Sequence, residues 1–574
     1  MRASWPKGIV FLFGFLALVL LLGACLPCLA GNVVSSAPVL RPNVLLLVAE
    51  DMSSRVGAFG DLVAQTPNLD RLAREGTRYT HTFTTAGVCA PSRASLLTGM
   101  HAISMGGQHM RSSTRPEGSY RAVPPPEVKA FPELLRRAGY YTVTDSKLDY
   151  QFSGTLSGSG PTTLWNAEGN DPAWLANAER EQPFFALINF QATHETGIFT
   201  PLGNGWPNSL MHLVVQFGRA WLLGIPEAES PIRSADVKIP PYYADTPLAR
   251  ADIARHYNNI YQMDKQVGEI LDALEESGLS DSTIVIWTTD HGDGLPRAKR
   301  ELYDSGLRVP MIVRWPDRWR PEGSPAGAID SRLVSFVDLA PTILDWAGQP
   351  PPRYMQGRKF SGPGTEIRRY VFASRDRIDE FSDRERAVRD REYKYIRSWY
   401  PEKPTGHRLP FRDNLEMMIE FWELLEEEEL NAEQRRWFEP TGSERLYHLA
   451  SDPFELHNLA GEQEYAVELD RLRQAYEDFR GRVPDWSEET EATMVDRMWP
   501  GGEQPRTAPP LIESTGGWLT LRPVNPHTSV AYRVGDGQER LYTTPFLLTS
   551  GSSITARSVR YGYRESQEVF WTAP

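Results

Sequence analysis

Four short apolar runs in this chain end abruptly in residues able to do chemistry. Asn43–Ala49 (NVLLLVA) runs into Glu50-Asp51, and Tyr140–Thr144 (YYTVT) runs into a segment holding Lys147 and Asp149. Phe184–Phe190 (FFALINF) leads to His194, and Thr283–Thr289 (TIVIWTT) leads to Asp290-His291, with Lys299 shortly after. Carboxylates from distant segments repel unless a cation lies between them, and hard oxygen donors suit Ca2+, with Mg2+ or Mn2+ as alternatives. A metal flanked by Arg93, Lys147 and Lys299 would stabilise a tetrahedral oxyanion while an ester bond breaks. His194 could give a proton to the leaving oxygen. Taken singly, each cluster reads more readily as an acidic turn or a solvated charge run. Their recurrence at four strand ends favours a shared site.

Cys89, in GVCAPSRASLLTG, is the other reactive group. Cys25 and Cys28 fall in the N-terminal segment, so Cys89 stands alone among the three cysteines. An exported protein with one cysteine has no intrachain disulfide. The thiol is either a reactive or modified group at a helix start, where backbone N–H groups favour negative charge, or a small buried hydrophobe.

Export is expected from the first thirty residues or so, 1–30. Arg2 and Lys7 precede the apolar run FLFGFLALVLLLGAC, the order of a secretory signal. Two cleavage readings compete: CLA before Gly31 resembles a signal peptidase site, and LGAC resembles a lipoprotein signal with Cys25 lipidated. The protein would then be periplasmic, held by a lipid anchor in the membrane, or secreted. With 574 residues and a formal charge of −13, the chain lacks the extended basic surface of a nucleic-acid binder. An anionic ligand would need basic residues gathered locally.

The elements that must position these residues follow the same pattern. Continuous apolar runs read as strands buried on both faces. Helices lie between them: one capped by Thr66 with Pro67 in its first turn and Gly76 as its stop, one carrying Phe131, Leu134, Leu135 and Ala138, and a long one over Ala249–Ser277 with a stripe from Ile253 to Leu274. Alternating strands and helices predict an α/β domain over 38–369, in which ligands gather beyond the carboxyl ends of the strands. Residues 370–486 read as a smaller α+β subdomain, with FWELLEEEEL as a solvated helix face. Residues 487–510 read as a Pro- and Gly-rich linker, and 511–574 as a small all-β sandwich.

CAPSRASLLTG resembles the signature of the type I sulfatases, in which Cys-x-Pro-Ser-Arg directs oxidation of the cysteine to formylglycine. The resemblance covers most of Pro42 to Ala460, with PNVLLLVAED, TTDHGDGLPRAKRELYDSGLRVPMIVRWP and ERLYHLASDPFELHNLA in the family's order. It implies the mixed sheet flanked by helices of the alkaline phosphatase-like superfamily, and a partner machinery that makes the formylglycine. It implies a hydrated aldehyde at position 89 as nucleophile, whose second hydroxyl allows sulfate to leave. Glu50, Asp51, Asp290, His291 and residue 89 would bind the metal. Arg93 would stabilise the modified residue, Lys147 and Lys299 would contact sulfate, and His194 would stand near the leaving group.

The chain departs from the family at several places. Glu50-Asp51 stands where many relatives have paired aspartates, His291 where some have Asn, and Asp149 where the family often has His. Asp149 and His109, in GGQHMRS, are candidate substrate contacts. These variants are similar to a branch with heparan N-sulfatases and bacterial glycan sulfatases, so the expected substrate is a sulfated glycan or small sulfate ester. The alternatives are a phosphodiesterase or phosphonate hydrolase of the same superfamily, since both substrate classes carry one negative charge, or a non-catalytic glycan-binding protein. The C-terminal segment resembles a chitobiase C-terminal domain; its Tyr532, Tyr542, Tyr561 and Tyr563 read more readily as core than as sugar platforms.

Overall fold

The computed structural model describes residues 41–111, 119–145, 147–169, 182–202, 207–222 and 229–574. The segment expected to direct export, residues 1–30, lies outside the described residues.

The apolar runs form strands because both of their faces find cover. In β1 (Asn43–Ala49), Val44, Leu46 and Val48 enter one core while Leu45, Leu47 and Ala49 enter another. β5 (Phe184–Phe190) and β6 (Thr283–Thr289) divide in the same way, with Phe185 and Ile286 on one side and Ala186 and Trp287 on the other. Each Val, Leu, Ile or Phe side chain so removed from water is worth about 1.5–3 kcal/mol. The remaining strands are β2 (Thr77–Phe83), β3 (Tyr141–Thr144), β4 (Ala167–Glu168), β7 (Arg308–Arg314), β8 (Ala328–Asp330) and β9 (Val334–Ser335). The sheet order is β4-β3-β5-β1-β6-β7-β2-β8, with β9 paired to β2. β3, β5, β1 and β6 are mutually parallel, and β7 enters antiparallel to β6.

One face is covered by α1 (Pro67–Glu75) and the long α4 (Pro247–Glu276), the other by α2 (Cys89–Thr98), α3 (Phe131–Arg137) and Leu339–Trp346. α4 begins two residues before its expected start, with Pro247 in the first turn and Thr246 Oγ1 accepting from Ala249 N at 3.1 Å. Its stripe serves two cores: Ile253 packs with the smaller subdomain, and Ile260, Val267 and Leu271 pack beneath the sheet. Thr66 does stand at the N-cap of α1. Its side chain accepts from Gly57 N instead of a helical N–H, so the expected cap hydrogen bond is absent.

The second sheet is antiparallel, ordered β10 (Val371–Arg375), β11 (Glu385–Arg389), β12 (Tyr393–Ser398) and β13 (Glu444–His448), with helix Ala466–Arg480 packed on it. In helix Glu416–Glu426, Met417, Met418, Phe421 and Trp422 go inward, while Glu423 and Glu426 face solvent. The stretch read as a linker carries a helix, Glu491–Met498. Its Met494 and Met498 bury against Tyr120, Ala122 and Val123. The tail forms a three-stranded and a four-stranded antiparallel sheet around Leu519, Leu521, Val530, Ile554 and Ala556. Tyr532 stacks on Phe546 within it, whereas Tyr561 leaves it and joins the core of the α/β sheet. At Gly562 a Cβ would lie 2.1 Å from the Ala122 carbonyl oxygen, so only glycine permits that approach.

Candidate active site

Of the four parallel neighbours β3, β5, β1 and β6, the last three end flush and β3 stops three residues short of β5. Ala49 is in register with both Phe190 and Thr289, and Thr144 with Leu187. Whatever follows each strand therefore emerges at one edge. Glu50 N donates to the Phe190 carbonyl and Asp290 N to the Ala49 carbonyl, which pins the exits together. Cys89 opens α2 at the same edge, where the free N–H groups of the first turn favour negative charge. Gly292 permits the tight packing after β6, since a Cβ there would sit 1.8 Å from the Ser305 carbonyl oxygen.

At the inner end, Asp51, Cys89, Asp290 and His291 each offer a ligand atom within 4.8 Å of one another, and Glu50, Asp51, Cys89 and His194 form an overlapping set. His291 Nε2 lies 3.0 Å from Asp51 Oδ1 and 3.3 Å from Cys89 Sγ. Its Nδ1 is engaged by the Gly292 carbonyl at 3.0 Å, which aims Nε2 at the acids as in a ligand imidazole. Although burial opposes both shifts, His291 and Arg93 hold Asp290 down at about 2, and Asp290 with Asp51 draws His291 up to about 10. Asp51 is held well below the usual carboxylate range against its burial, chiefly by Lys299. It also adopts φ +50°, a strained left-handed conformation of the kind found where function demands it.

The donor set fits a hard divalent cation. Three buried carboxylates converge, and Glu50 Oε1 has no hydrogen-bond partner, which a buried acid rarely tolerates. Arg93 Nη2 stands 4.0 Å from that oxygen, also without a hydrogen-bond partner. Arg93 is fixed by its Nε donating to Asp290 Oδ2 at 3.0 Å and its Nη1 donating to Asn189 Oδ1.

Cys89, Lys147, Asp149, His194 and Lys299 line a cavity of about 280 Å3 above this cluster. Lys147 Nζ reaches Glu50 Oε2, and Lys299 Nζ reaches Asp51 Oδ2, each at 2.6 Å. His194 is held neutral near pH 7, its pKa pushed to about 4 by burial and by Lys299. Its Nδ1 faces Thr196, leaving Nε2 toward Lys299 at 3.5 Å. His109 is not part of the lining. Its ring packs edge-on to Tyr120, and Arg111, two residues on, lines the cavity with its guanidinium on Asp149.

Several contributors escaped sequence reasoning. Asp145 accepts from the backbone N and side-chain Nδ2 of Asn189, both at 2.6 Å, and so fixes the amide that holds Arg93. The signal was present: Asn189 is a polar interruption of a buried apolar strand. Glu195 pairs in two-pronged fashion with Arg300 and also meets Lys299 at 3.1 Å. Asp379, Glu380 and Phe411 reach the cavity from the smaller subdomain, a juxtaposition no local pattern discloses.

The sulfatase family model matches residues 42–349, and the model of the N-sulphoglucosamine sulphohydrolase C-terminal region matches residues 297–405. An ulvan-active sulfatase of Formosa agariphila is 39% identical over 92% of this chain and 91% of its own length. Human N-sulphoglucosamine sulphohydrolase is 28% identical over 75% of this chain and 89% of its own. A solved structure of a 2-O GAG sulfatase shares the fold at TM-score 0.54 and 20% identity, covering 78% of this chain and 94% of that one. With a cysteine-derived nucleophile beside a buried cluster fit for a divalent metal, this chain belongs to the sulfatase family.

Proposed function

We propose that the protein is an exported hydrolase of sulfate carried on a saccharide, as an O-ester or N-sulfate, using residue 89 as formylglycine and a Ca2+ ion. The observation that carries this reading is the convergence of four strand ends on Cys89. Glu50, Asp51, Asp290, His291 and residue 89 would hold the ion. When bound, it would supply positive charge against which the nucleophile and the sulfate oxygens are drawn. The aldehyde, once hydrated, would supply an oxygen nucleophile together with the second hydroxyl that a thiol or serine lacks. Arg93, braced by Asp290 and Asn189, orients residue 89. Lys147 and Lys299 neutralise the sulfate oxygens from two sides. Neutral His194 donates a hydrogen bond from Nε2 to the leaving oxygen or nitrogen, with Lys299 alongside. Asp149 accepts from a substrate hydroxyl.

A saccharide substrate is supported by the relatives' names, one ulvan-active and one acting on N-sulphoglucosamine. Export, by signal cleavage or lipid anchoring, is supported by the N-terminal sequence; no helix among the described residues is long and apolar enough to cross a membrane. The test compares kcat/KM for an aryl sulfate, an aryl phosphodiester and a panel of O- and N-sulfated saccharides, using formylglycine-bearing protein and a Cys89→Ala control. Preference for the phosphodiester would reject the reading. Preference for a sulfated saccharide is expected, and the panel assigns the linkage.

A further inference from the structure

Beyond Asp485 the chain returns to the α/β unit, and helix Glu491–Met498 connects to the pocket through one side chain. Arg377 is buried, and its Nε and Nη2 meet the two carboxylate oxygens of Glu491 at 2.7 and 2.9 Å. Its Nη1 donates to the carbonyls of Met110 at 2.8 Å and Asp379 at 2.7 Å, and its own carbonyl accepts from Met110 N at 3.1 Å. One guanidinium thus joins three distant segments: the wall carrying Met110 and Arg111, the turn Asp379-Glu380, and the C-terminal helix. That turn is closed by reciprocal Ile378 and Phe381 backbone bonds of 3.1 and 2.9 Å. Asp379 sits at φ +48°, a left-handed conformation unfavourable for a non-glycine residue, and the bond to its carbonyl helps keep it there. The Asp379 and Glu380 side chains line the cavity and have no hydrogen-bond or ion-pair partner among the described residues.

We propose that Arg377 is a positioning residue which, anchored by Glu491, fixes the outer wall of the substrate pocket, so that Asp379 and Glu380 accept hydrogen bonds from the hydroxyls of the sulfated saccharide. The inference rests on the saccharide sulfatase reading above. Lys147 and Lys299 meet the sulfate, and the other cations lining the cavity are already paired, Arg300 with Glu195 and Arg111 with Asp149, so Asp379 and Glu380 leave negative charge facing the rest of the substrate. A neutral, hydroxyl-rich sugar is favoured there, and a second anionic group is repelled.

The experiment uses full-length, metal-loaded, formylglycine-bearing protein with Glu491→Ala and Asp379→Asn. The substrates are a neutral monosulfated saccharide, the same saccharide with an added carboxylate, and a small aryl sulfate too short to reach the turn. Glu491→Ala should raise KM for the neutral saccharide about tenfold with kcat changed less than about threefold, lowering its preference over the aryl sulfate to match. Asp379→Asn should cut discrimination against the carboxylated analogue by about fivefold or more. A parallel fall in kcat on all three substrates would mean that the helix only supports folding, and would overturn the proposal. So would unchanged KM values and discrimination. Absence of wild-type turnover would instead reject the sulfatase reading itself, and shows before any substitution is made.

Discussion

Glu50, at the end of β1, and Glu133, on α3, are both fully buried glutamates, and their surroundings are built to different ends. Glu133 Oε1 accepts from Arg137 and Ser529, and Oε2 accepts from Thr163 and the Tyr561 hydroxyl. Every lone pair has a fixed donor, and two of the donors belong to the C-terminal sandwich, so this carboxylate ties the tail to the α/β unit. Glu50 has Lys147 on one oxygen and nothing hydrogen-bonded to the other, with Asp51 and Asp290 crowded beside it. A buried polar network that is complete stabilises; one left incomplete costs stability and persists where a ligand completes it. The contrast separates the glue of this molecule from its chemistry.

The largest effect should come from removing the nucleophile. Cys89→Ala is expected to abolish sulfate release, by at least about 10^4-fold, since nothing else at the inner end can form the covalent adduct. Chelation should follow: it removes turnover and lowers the melting temperature of the wild type, because an ion at about 100 times its Kd contributes roughly 2.7 kcal/mol. Glu133→Gln should keep that chelator-dependent shift, and Glu50→Gln should shrink it while losing about 100-fold in kcat. Equal shifts in the two variants would erase the proposed distinction.

Glu133→Gln should in turn cost stability but leave kcat within about twofold. Burial alone would push Glu133 up, but Lys129 and Arg137, with the Ser529 and Thr163 hydroxyls, hold it at about 2, below its ordinary 4.5. Such a group stabilises the folded state above pH 4.5, here by about 3 kcal/mol, and the contribution disappears as pH falls through 2. Urea unfolding of wild type and Glu133→Gln should therefore differ most near neutrality and converge in acid. A gap that widens in acid would reverse the assignment. The smallest effect is expected for Tyr561→Phe, about 2 kcal/mol, because its hydroxyl donates to Glu133 and accepts from Ala130 N, with activity unaltered.

The sheet and the inner end were legible because their signals are local. A continuous apolar strand closed by a carboxylate names both the element and the residue it delivers, and parallel order then brings Glu50, Asp51, Lys147, His194 and Asp290 together without further information. The outer wall was not legible. Asp379 and Glu380 lie in a turn of the second sheet, and only tertiary packing brings them to the cavity that Asp149 also lines. His109 was drawn in by its residue type, but its ring packs on Tyr120 instead of facing the cavity. Helix Glu491–Met498 was hidden by the Pro and Gly residues that follow it. Thr66 had the right position for a cap, and its hydroxyl was claimed by Gly57 instead.

The most direct measurement pairs two readings on one preparation from the native host: the mass of the tryptic peptide Tyr79–Arg93, and the rate of free sulfate release from a sulfated saccharide. Across preparations of varying conversion, the rate should rise in proportion to the fraction of residue 89 present as aldehyde and vanish in the thiol form. Full turnover by protein bearing only the thiol, or none by fully converted, metal-loaded protein, would contradict the account.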